Sequence, residues 1–371
     1  MAGIMSELSS GGIFVIQGVP GTELDSVTAA SIRESQPGGF ILFGRNIKSP
    51  EQLRKLIDDL RSLVHHEPIV TIDQEGGRVS RLKEIGSEPP SAKQLRDKGD
   101  LSLIARHGAL TGQLLRHFGF NLDLCPVLDI SFDDEADNSL KNRTYGRTPE
   151  EAIPNVRAFN DAMRAEGVLS CGKHFPGYSA AGVDPHHELP RINRTRAELE
   201  KTEWLPFRAL LPQLDTMMMG HAVYPDLDDS LPPASLSKRV ITDLLRNEWG
   251  YQGCVMTDDL DMGAMINYCD FATSVRRALE AGNDLMLLCH RTELIREAAK
   301  VLSELPSAVT DPARERVHAL QKRLVPPDEF SLTKFKALDD QVMRLRIDTL
   351  GREAAAQRST DDGKRSPVEL F

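Results

Sequence analysis

Short β-rich apolar runs recur along the chain at 13–16, 40–43, 69–72, 121–124, 168–171, 216–219, 254–257 and 284–288, most of them nearly continuous in apolar character. Continuous rather than alternating apolar character is the pattern of parallel strands covered on both faces. Amphipathic stretches lie between them. In 50–64, Leu53, Leu56, Ile57 and Leu60 share one helical face. The stretch 149–165 has Thr148 in place as a cap and proline at the first helical position, with Pro154 as a candidate kink. The stretch 195–211 opens with Thr195 and Glu198 at capping-box spacing. Further helical patterns occupy 238–249, 272–281 and 292–305. Strands alternating with helices in this way predict an α/β fold, a closed (β/α)8 TIM-type barrel, with an open doubly wound sheet as the alternative.

The length of 371 residues suits one such barrel, which takes roughly 250 residues before insertions. Residues 1–325 are therefore read as a single barrel catalytic domain. After Val325-Pro326-Pro327 a helical pattern runs over 331–357 and ends in polar residues expected to fray. The segment 326–371 is too short for a second α/β domain and reads as a helical C-terminal tail, packed on the barrel or on a second subunit.

Composition narrows the function. The formal net charge is −10 and no Lys/Arg run stands out, which argues against a nucleic-acid partner or an anionic membrane surface. No run reaches the roughly 18 apolar residues that a membrane span needs. The N-terminus has no basic start followed by an apolar stretch, so no signal peptide is expected and the chain reads as cytoplasmic. Cysteines 125, 171, 254, 269 and 289 are odd in number and lack metal-ligand spacing. They read as reduced core thiols, and no metal or cofactor is expected. The chain is expected to act as a monomer or homodimer on a small molecule.

Polar residues gather where the predicted strands end: Gly44-Arg45-Asn46, Asp73-Gln74-Glu75-Gly76-Gly77-Arg78, Lys173-His174, Gly220-His221 and Asp258-Asp259. In a closed barrel all of these face the C-terminal rim, where such enzymes place their sites. In Asp184-Pro185-His186, a carboxylate two residues from an imidazole favours the imidazolium and orients it. That makes a group able to protonate a leaving oxygen and later deprotonate a water. In Val255-Met256-Thr257-Asp258-Asp259-Leu260-Asp261, an apolar strand delivers Asp258 at its end, placed to attack an anomeric carbon. Asp259 is read as turned away and capping the next helix. The spacing of these acids does not match a calcium loop. In Asp73-Gln74-Glu75-Gly76-Gly77-Arg78-Val79-Ser80-Arg81, the glycines permit a tight turn, Asp73 suits adjacent hydroxyls and Arg81 supplies a donor fork. Neither a dinucleotide nor a Walker phosphate-binding pattern is present.

Three motifs together resemble glycoside hydrolase family 3. They are Asp-Gln-Glu-Gly-Gly-Arg-Val-x-Arg at 73–81, Lys-His-Phe-Pro-Gly at 173–177 with Asp-x-His at 184–186, and Thr-Asp-Asp-Leu-x-Met at 257–262. The resemblance covers roughly residues 10–310. Within the family the chain is similar to the single-domain bacterial β-N-acetylglucosaminidases that trim cell-wall muropeptides, in which an Asp-x-His loop replaces the usual glutamate acid/base. The resemblance implies that Asp258 is the nucleophile, His186 the acid/base and Asp184 its partner. It implies sugar binding by Asp73, Arg81, Lys173 and His174, and by Arg143 within Asn142-Arg143-Thr144-Tyr145-Gly146. This chain departs from the family at Tyr178-Ser179, where His-Gly is usual, at Ala180-Ala181, and at Pro185, where serine is common. Those departures bear on loop motion and aglycone preference more than on the reaction.

The implied activity is a retaining exo-β-N-acetylhexosaminidase acting on peptidoglycan fragments. A β-N-acetylglucosaminide phosphorylase and a β-glucosidase remain enzymatic alternatives on the same fold. A catalytically silent sugar-binding protein is the non-enzymatic one, disfavoured by the presence of Asp258, Asp184 and His186.

Overall fold

The computed structural model of the chain describes residues 7–136 and 138–359. Its strands are β1 (Val15–Gly18), β2 (Gly39–Leu42), β3 (Ile69–Ile72), β4 (Gln74–Gly76), β5 (Val79–Ser80), β6 (Leu122–Asp123), β7 (Leu169–Phe175), β8 (Thr216–Met219), β9 (Cys254–Asp259) and β10 (Leu285–Leu288). Eight of them close a barrel in the order β1-β10-β9-β8-β7-β6-β3-β2. β4 and β5 form a separate antiparallel hairpin at the C-terminal rim. Barrel neighbours run parallel; β8, for example, pairs with β9 from Thr216↔Cys254 to Met219↔Thr257. Closure removes sheet edges and leaves the strand ends as the place for polar groups.

The buried, continuous apolar character of the strands follows from this closure, because one face packs into the barrel and the other against helices. Two of the strands that run further than the apolar pattern suggests carry site residues. β7 continues through Lys173 and His174 to Phe175, and β9 continues through Asp258 and Asp259. These polar residues therefore stand on rigid strand ends rather than in loops.

The helix Pro50–Ser62 is capped by Ser49 and buries Leu53, Leu56, Ile57 and Leu60, as the pattern predicts. Pro149–Ala165 begins at Thr148 and runs unbroken through Pro154. The stretch predicted as one helix over 195–211 is two, Arg196–Lys201 and Trp204–Leu210. Thr202 leaves helical geometry between them, with φ −135° and ψ −88°. The Trp204 indole there donates to the Pro176 carbonyl at 3.1 Å.

Among the helices of ten or more residues, three have no counterpart in the sequence pattern: Ser26–Ser35, Leu101–Phe118 and Ser307–Gln321. Leu101–Phe118 is informative. Gly108 and Gly112 each weaken a helix by about 1 kcal/mol relative to alanine, so the segment reads as a poor helix. A Cβ at Gly108 would lie 2.2 Å from the Phe159 carbonyl oxygen. Glycine is what lets this helix touch Pro149–Ala165.

Near the end of the described chain, Leu332–Leu350 starts at a Ser331 cap and buries Phe335, Leu338, Val342 and Leu345. Phe335 meets Phe118 edge-on, with ring centroids 5.3 Å apart. The tail's predicted frayed end, from 360 onward, and residues 1–6 lie outside the described residues. All five cysteines are free, and only Cys269 is not buried. Among the described residues no helix is long and apolar enough to cross a membrane.

Candidate active site

The site is a pocket at the C-terminal rim, lined among others by Phe43, Asp73, Arg81, Arg143, Lys173, His174, His186, Asp258, Asp259 and His290. Every predicted site residue except Asp184 lines it, and Asp184 stands directly behind His186.

One wall begins at β3. Asp73 follows the strand, and the β4–β5 hairpin turns back at Gly76 and Gly77, both with positive φ. A Cβ at Gly76 would lie 2.3 Å from the Pro90 carbonyl oxygen, so this turn needs glycine for space as well as conformation. Across the wall, Lys173 Nζ donates to Asp73 Oδ1 at 2.6 Å and lies 2.7 Å from Glu75 Oε1. Arg143 grips Glu75 with two bonds of 2.7 Å, Nε to Oε2 and NH2 to Oε1. Arg81 NH2 is 3.7 Å from Asp73 Oδ2.

Burial alone would push the Glu75 carboxyl up, but Arg143 and Lys173 outweigh it and hold it well below the usual carboxylate range. Burial likewise disfavours the Lys173 ammonium, and Asp73 and Glu75 more than restore it. The wall is thus a pre-assembled array of fixed charges, able to donate to and accept from several hydroxyls at once.

His174 is held from behind. Asp129 Oδ2 takes its backbone N–H at 3.0 Å and stands 2.8 Å from Nδ1, while Oδ1 accepts the Tyr178 N–H at 2.6 Å. The carboxylate places the proton on Nδ1 and leaves Nε2 for a ligand. The Tyr178 ring lies against His174, centroids 5.0 Å apart, and its hydroxyl accepts the His221 backbone N–H. The His221 ring is consumed internally, between Ser235 Oγ at 2.8 Å and the Asp259 carbonyl at 2.9 Å.

Opposite this wall, Asp258 closes β9 and accepts the Asp259 N–H at 2.9 Å. Burial raises its carboxyl, but the imidazoles of His174, His221 and His186 bring it below its ordinary value. The carboxylate is therefore charged at neutral pH, as a nucleophile requires. On the loop after β7, Asp184 Oδ1 stands 2.6 Å from His186 Nδ1 and accepts the His186 N–H at 3.0 Å. Burial acts against the Asp184 charge, yet the bond to His186 brings its carboxyl down to about 2. Two backbone bonds pin this loop beside β9: Gly263 N to His186 O at 3.1 Å and Ala264 N to Pro185 O at 3.2 Å.

Asp259 does not cap a helix, contrary to the sequence reading. Its Oδ1 accepts the N–H groups of Asp261 at 3.0 Å and Cys289 at 3.2 Å, tying β9 to the end of β10. Burial and the neighbouring Asp261 raise its carboxyl well above the usual range. His290, which the sequence did not single out, lies 3.4 Å from Asp259 Oδ2 and 3.3 Å from Arg45. Burial, with help from Arg45, pushes its ring down to about 4, so it is neutral at pH 7. Glu188, a further carboxyl on the loop after β7, is exposed and outside the pocket lining.

These features define an α/β-barrel enzyme with a polar, hydroxyl-matching pocket at its C-terminal rim. The chain belongs to glycosyl hydrolase family 3 and is a glycoside hydrolase: residues 12–320 match the family's N-terminal domain. A Beta-hexosaminidase from Alkalilimnicola ehrlichii is 34% identical over 311 residues, 82% of this chain and 88% of that protein. Among solved structures, a glycoside hydrolase family 3 beta-N-acetylglucosaminidase from Paenibacillus superposes with a TM-score of 0.85 at 30% identity, over 93% of this chain and 69% of that one. NagZ from Neisseria gonorrhoeae superposes with a TM-score of 0.77 at 27% identity, over 89% of this chain and 97% of that one.

Proposed function

We propose that this chain is a retaining exo-β-N-acetylhexosaminidase that removes terminal N-acetylglucosamine from β-linked glycosides. Its natural substrates are peptidoglycan fragments met in the cytoplasm during cell-wall recycling. Asp258 attacks the anomeric carbon and forms a glycosyl-enzyme. His186 protonates the departing oxygen and then takes a proton from the incoming water, with Asp184 stabilising the imidazolium and fixing the ring. Asp73, Arg81, Arg143, Lys173 and His174 hold the sugar through its hydroxyls. Double displacement at one carbon gives net retention.

The observation that carries this reading is the 2.6 Å contact between Asp184 and the His186 ring on a loop docked beside Asp258. A carboxylate nucleophile and a carboxylate-backed imidazole bordering one pocket supply the two roles that hydrolysis of a glycoside needs. The hexosaminidase names of the relatives support the choice of sugar. Phosphorolysis is the second reading, because an imidazole acid/base leaves the pocket less negative toward phosphate than a glutamate does.

The test is turnover of p-nitrophenyl N-acetyl-β-D-glucosaminide and its glucoside, with and without inorganic phosphate. The expected result is release of free N-acetylglucosamine at a phosphate-independent rate, with the glucoside a poor substrate. Accumulation of N-acetylglucosamine 1-phosphate would establish the phosphorylase instead, and preference for the glucoside would overturn the sugar assignment.

A further inference from the structure

The helix Leu332–Leu350 lies outside the barrel, yet it reaches the floor beneath the hydroxyl-binding wall. Arg346, 3% exposed, donates from NH1 to both Glu88 Oε1 and the Glu88 backbone carbonyl at 3.0 Å. Glu88 is itself 2% exposed. Two turns earlier on the same helical face, Asp339 accepts the Ser87 N–H at 2.5 Å and the Ser87 hydroxyl at 3.1 Å. One ion pair and two hydrogen bonds to a carboxylate thus fix the segment 87–88 from the C-terminal helix.

That segment supports the site directly. Pro89, next to Glu88, accepts the Gly77 N–H at 2.9 Å. A Cβ on Gly77 would lie 2.6 Å from Ser91 Cβ, so the Gly76–Gly77 turn rests on 89–91 without slack. The same hairpin carries Glu75, which sets Arg143 and Lys173, and it follows Asp73 directly. Its other strand leads into Arg81, and Gln74 holds the junction by accepting the Leu82 N–H at 3.1 Å.

We infer that Arg346 is a positioning residue for sugar binding: through Glu88 and the Gly76–Gly77 turn it sets the hairpin that places Asp73, Glu75 and Arg81. This rests on the assignment of that wall to the sugar hydroxyls. The buried Arg346 guanidinium meets Glu88 through NH1 and ties it to the chain that follows, with Nε on the Ala355 carbonyl at 3.0 Å and NH2 on the Gln357 carbonyl, a planar set of bonds that fixes distance and angle as an ordinary apolar helix contact does not. Because the wall holds hydroxyls away from the reacting carbon, a loosened hairpin weakens substrate binding more than it slows chemistry. The signature is a rise in KM at nearly constant kcat.

Two variants of the full chain separate positioning from mere stability. Arg346→Lys keeps the charge and loses the planar guanidinium that spans Glu88 and the Ala355 and Gln357 carbonyls. Glu88→Gln with Arg346→Met removes both charges and leaves no buried ion alone. The expected result is KM for the aryl N-acetylglucosaminide raised about tenfold in the double variant and at least about threefold in Arg346→Lys, with kcat within about twofold of the parent. A lower melting temperature with KM within about twofold of the parent in the folded variants would overturn the inference and leave the pair as a structural staple. If the double variant does not fold, Arg346→Lys decides by the same criterion. The parent is measured alongside: an inactive parent would count against the proposed activity, whereas an active parent with unmoved variants counts against Arg346 alone.

Discussion

At the N-terminal rim of the barrel, Asp215 and Asp284 each sit at the start of a strand and are saturated by cations. Asp215 takes Arg164 at 2.9 Å, Arg323, and the Ser170 N–H at 2.9 Å. Asp284 takes Arg246 at 2.6 Å, Arg316 at 2.8 Å, and the Val255 N–H at 2.8 Å. At the C-terminal rim, Asp258 closes the strand that follows Asp215's neighbour β8, and its field comes from three imidazoles rather than a guanidinium fork. Asp123 shows the same contrast: its Oδ1 accepts the Gln74 N–H at 3.0 Å, while its buried Oδ2 has no protein partner. One end of the barrel spends its carboxylates on holding the fold. The other pairs Asp73 and Glu75 with cations as well, but Asp258 meets imidazoles and a backbone N–H instead, as the proposed nucleophile requires.

Exchanging a carboxylate at each end sharpens this contrast most. Asp258→Ala is expected to lower kcat by several orders of magnitude, with little change in melting temperature, because it removes a covalent step. Asp215→Asn is expected to leave kcat within about threefold and to cost about 1–3 kcal/mol of stability, since its own burial is complete but both arginines stay partly hydrated. A kcat loss of less than about tenfold for Asp258→Ala would remove its claim to be the nucleophile.

The contrast was partly legible in the sequence. Asp73, Lys173, His174 and Asp258 could be found because each ends a continuous apolar run, and a closed barrel puts such ends on one rim. The Asp184-Pro185-His186 spacing offered an acid/base candidate, and the resemblance to the family added Arg143. Asp129 was not legible: it lies in the mostly apolar stretch after β6, and its importance comes from reaching His174, 45 positions away. The Glu75–Arg143 fork spans 68 positions. Asp259 was misread because a helix does follow it, but the partners of its side chain come from β10, a contact that no local pattern encodes. The break at Thr202 and the glycine-bearing helix Leu101–Phe118 were missed for the same reason: packing against another segment decided the local geometry.

Smaller effects test the loop and the buried acid. His186→Ala is expected to abolish most hydrolysis of alkyl glycosides, and to spare the glycosylation step on aryl glycosides, whose phenolate leaves with little protonation. Equal losses on both in pre-steady-state glycosylation rates would show that His186 is not the acid. Asp184→Asn is expected to lower kcat less than His186→Ala does, because the ring stays in place but loses the carboxylate that holds its Nδ1 at 2.6 Å, and a kcat equal to the parent's would show that Asp184 does not orient the ring.

Asp123 gives the smallest effect. Burial raises its carboxyl to about 7, against the pull of the Gln74 amide and Lys173. The native state then holds a proton that the unfolded chain loses near 4, so this group's contribution is fully present below about 4 and fades as pH rises through 7. Asp123→Asn is expected to flatten the fall in melting temperature between pH 5 and 8, and an unchanged slope would show that Asp123 does not titrate there.

The most direct test of the central claim is to identify the residue that becomes glycosylated. A fluorinated N-acetylglucosaminyl donor that forms the covalent intermediate quickly and releases it slowly is incubated with the full chain, and the protein is digested and mapped by mass spectrometry. The expected result is one sugar per chain, attached to Asp258 within the peptide that contains Asp258, Asp259 and Asp261. An adduct on Asp259, Asp73 or any other residue, or first-formed product with the α configuration in the absence of any adduct, would contradict the double-displacement account.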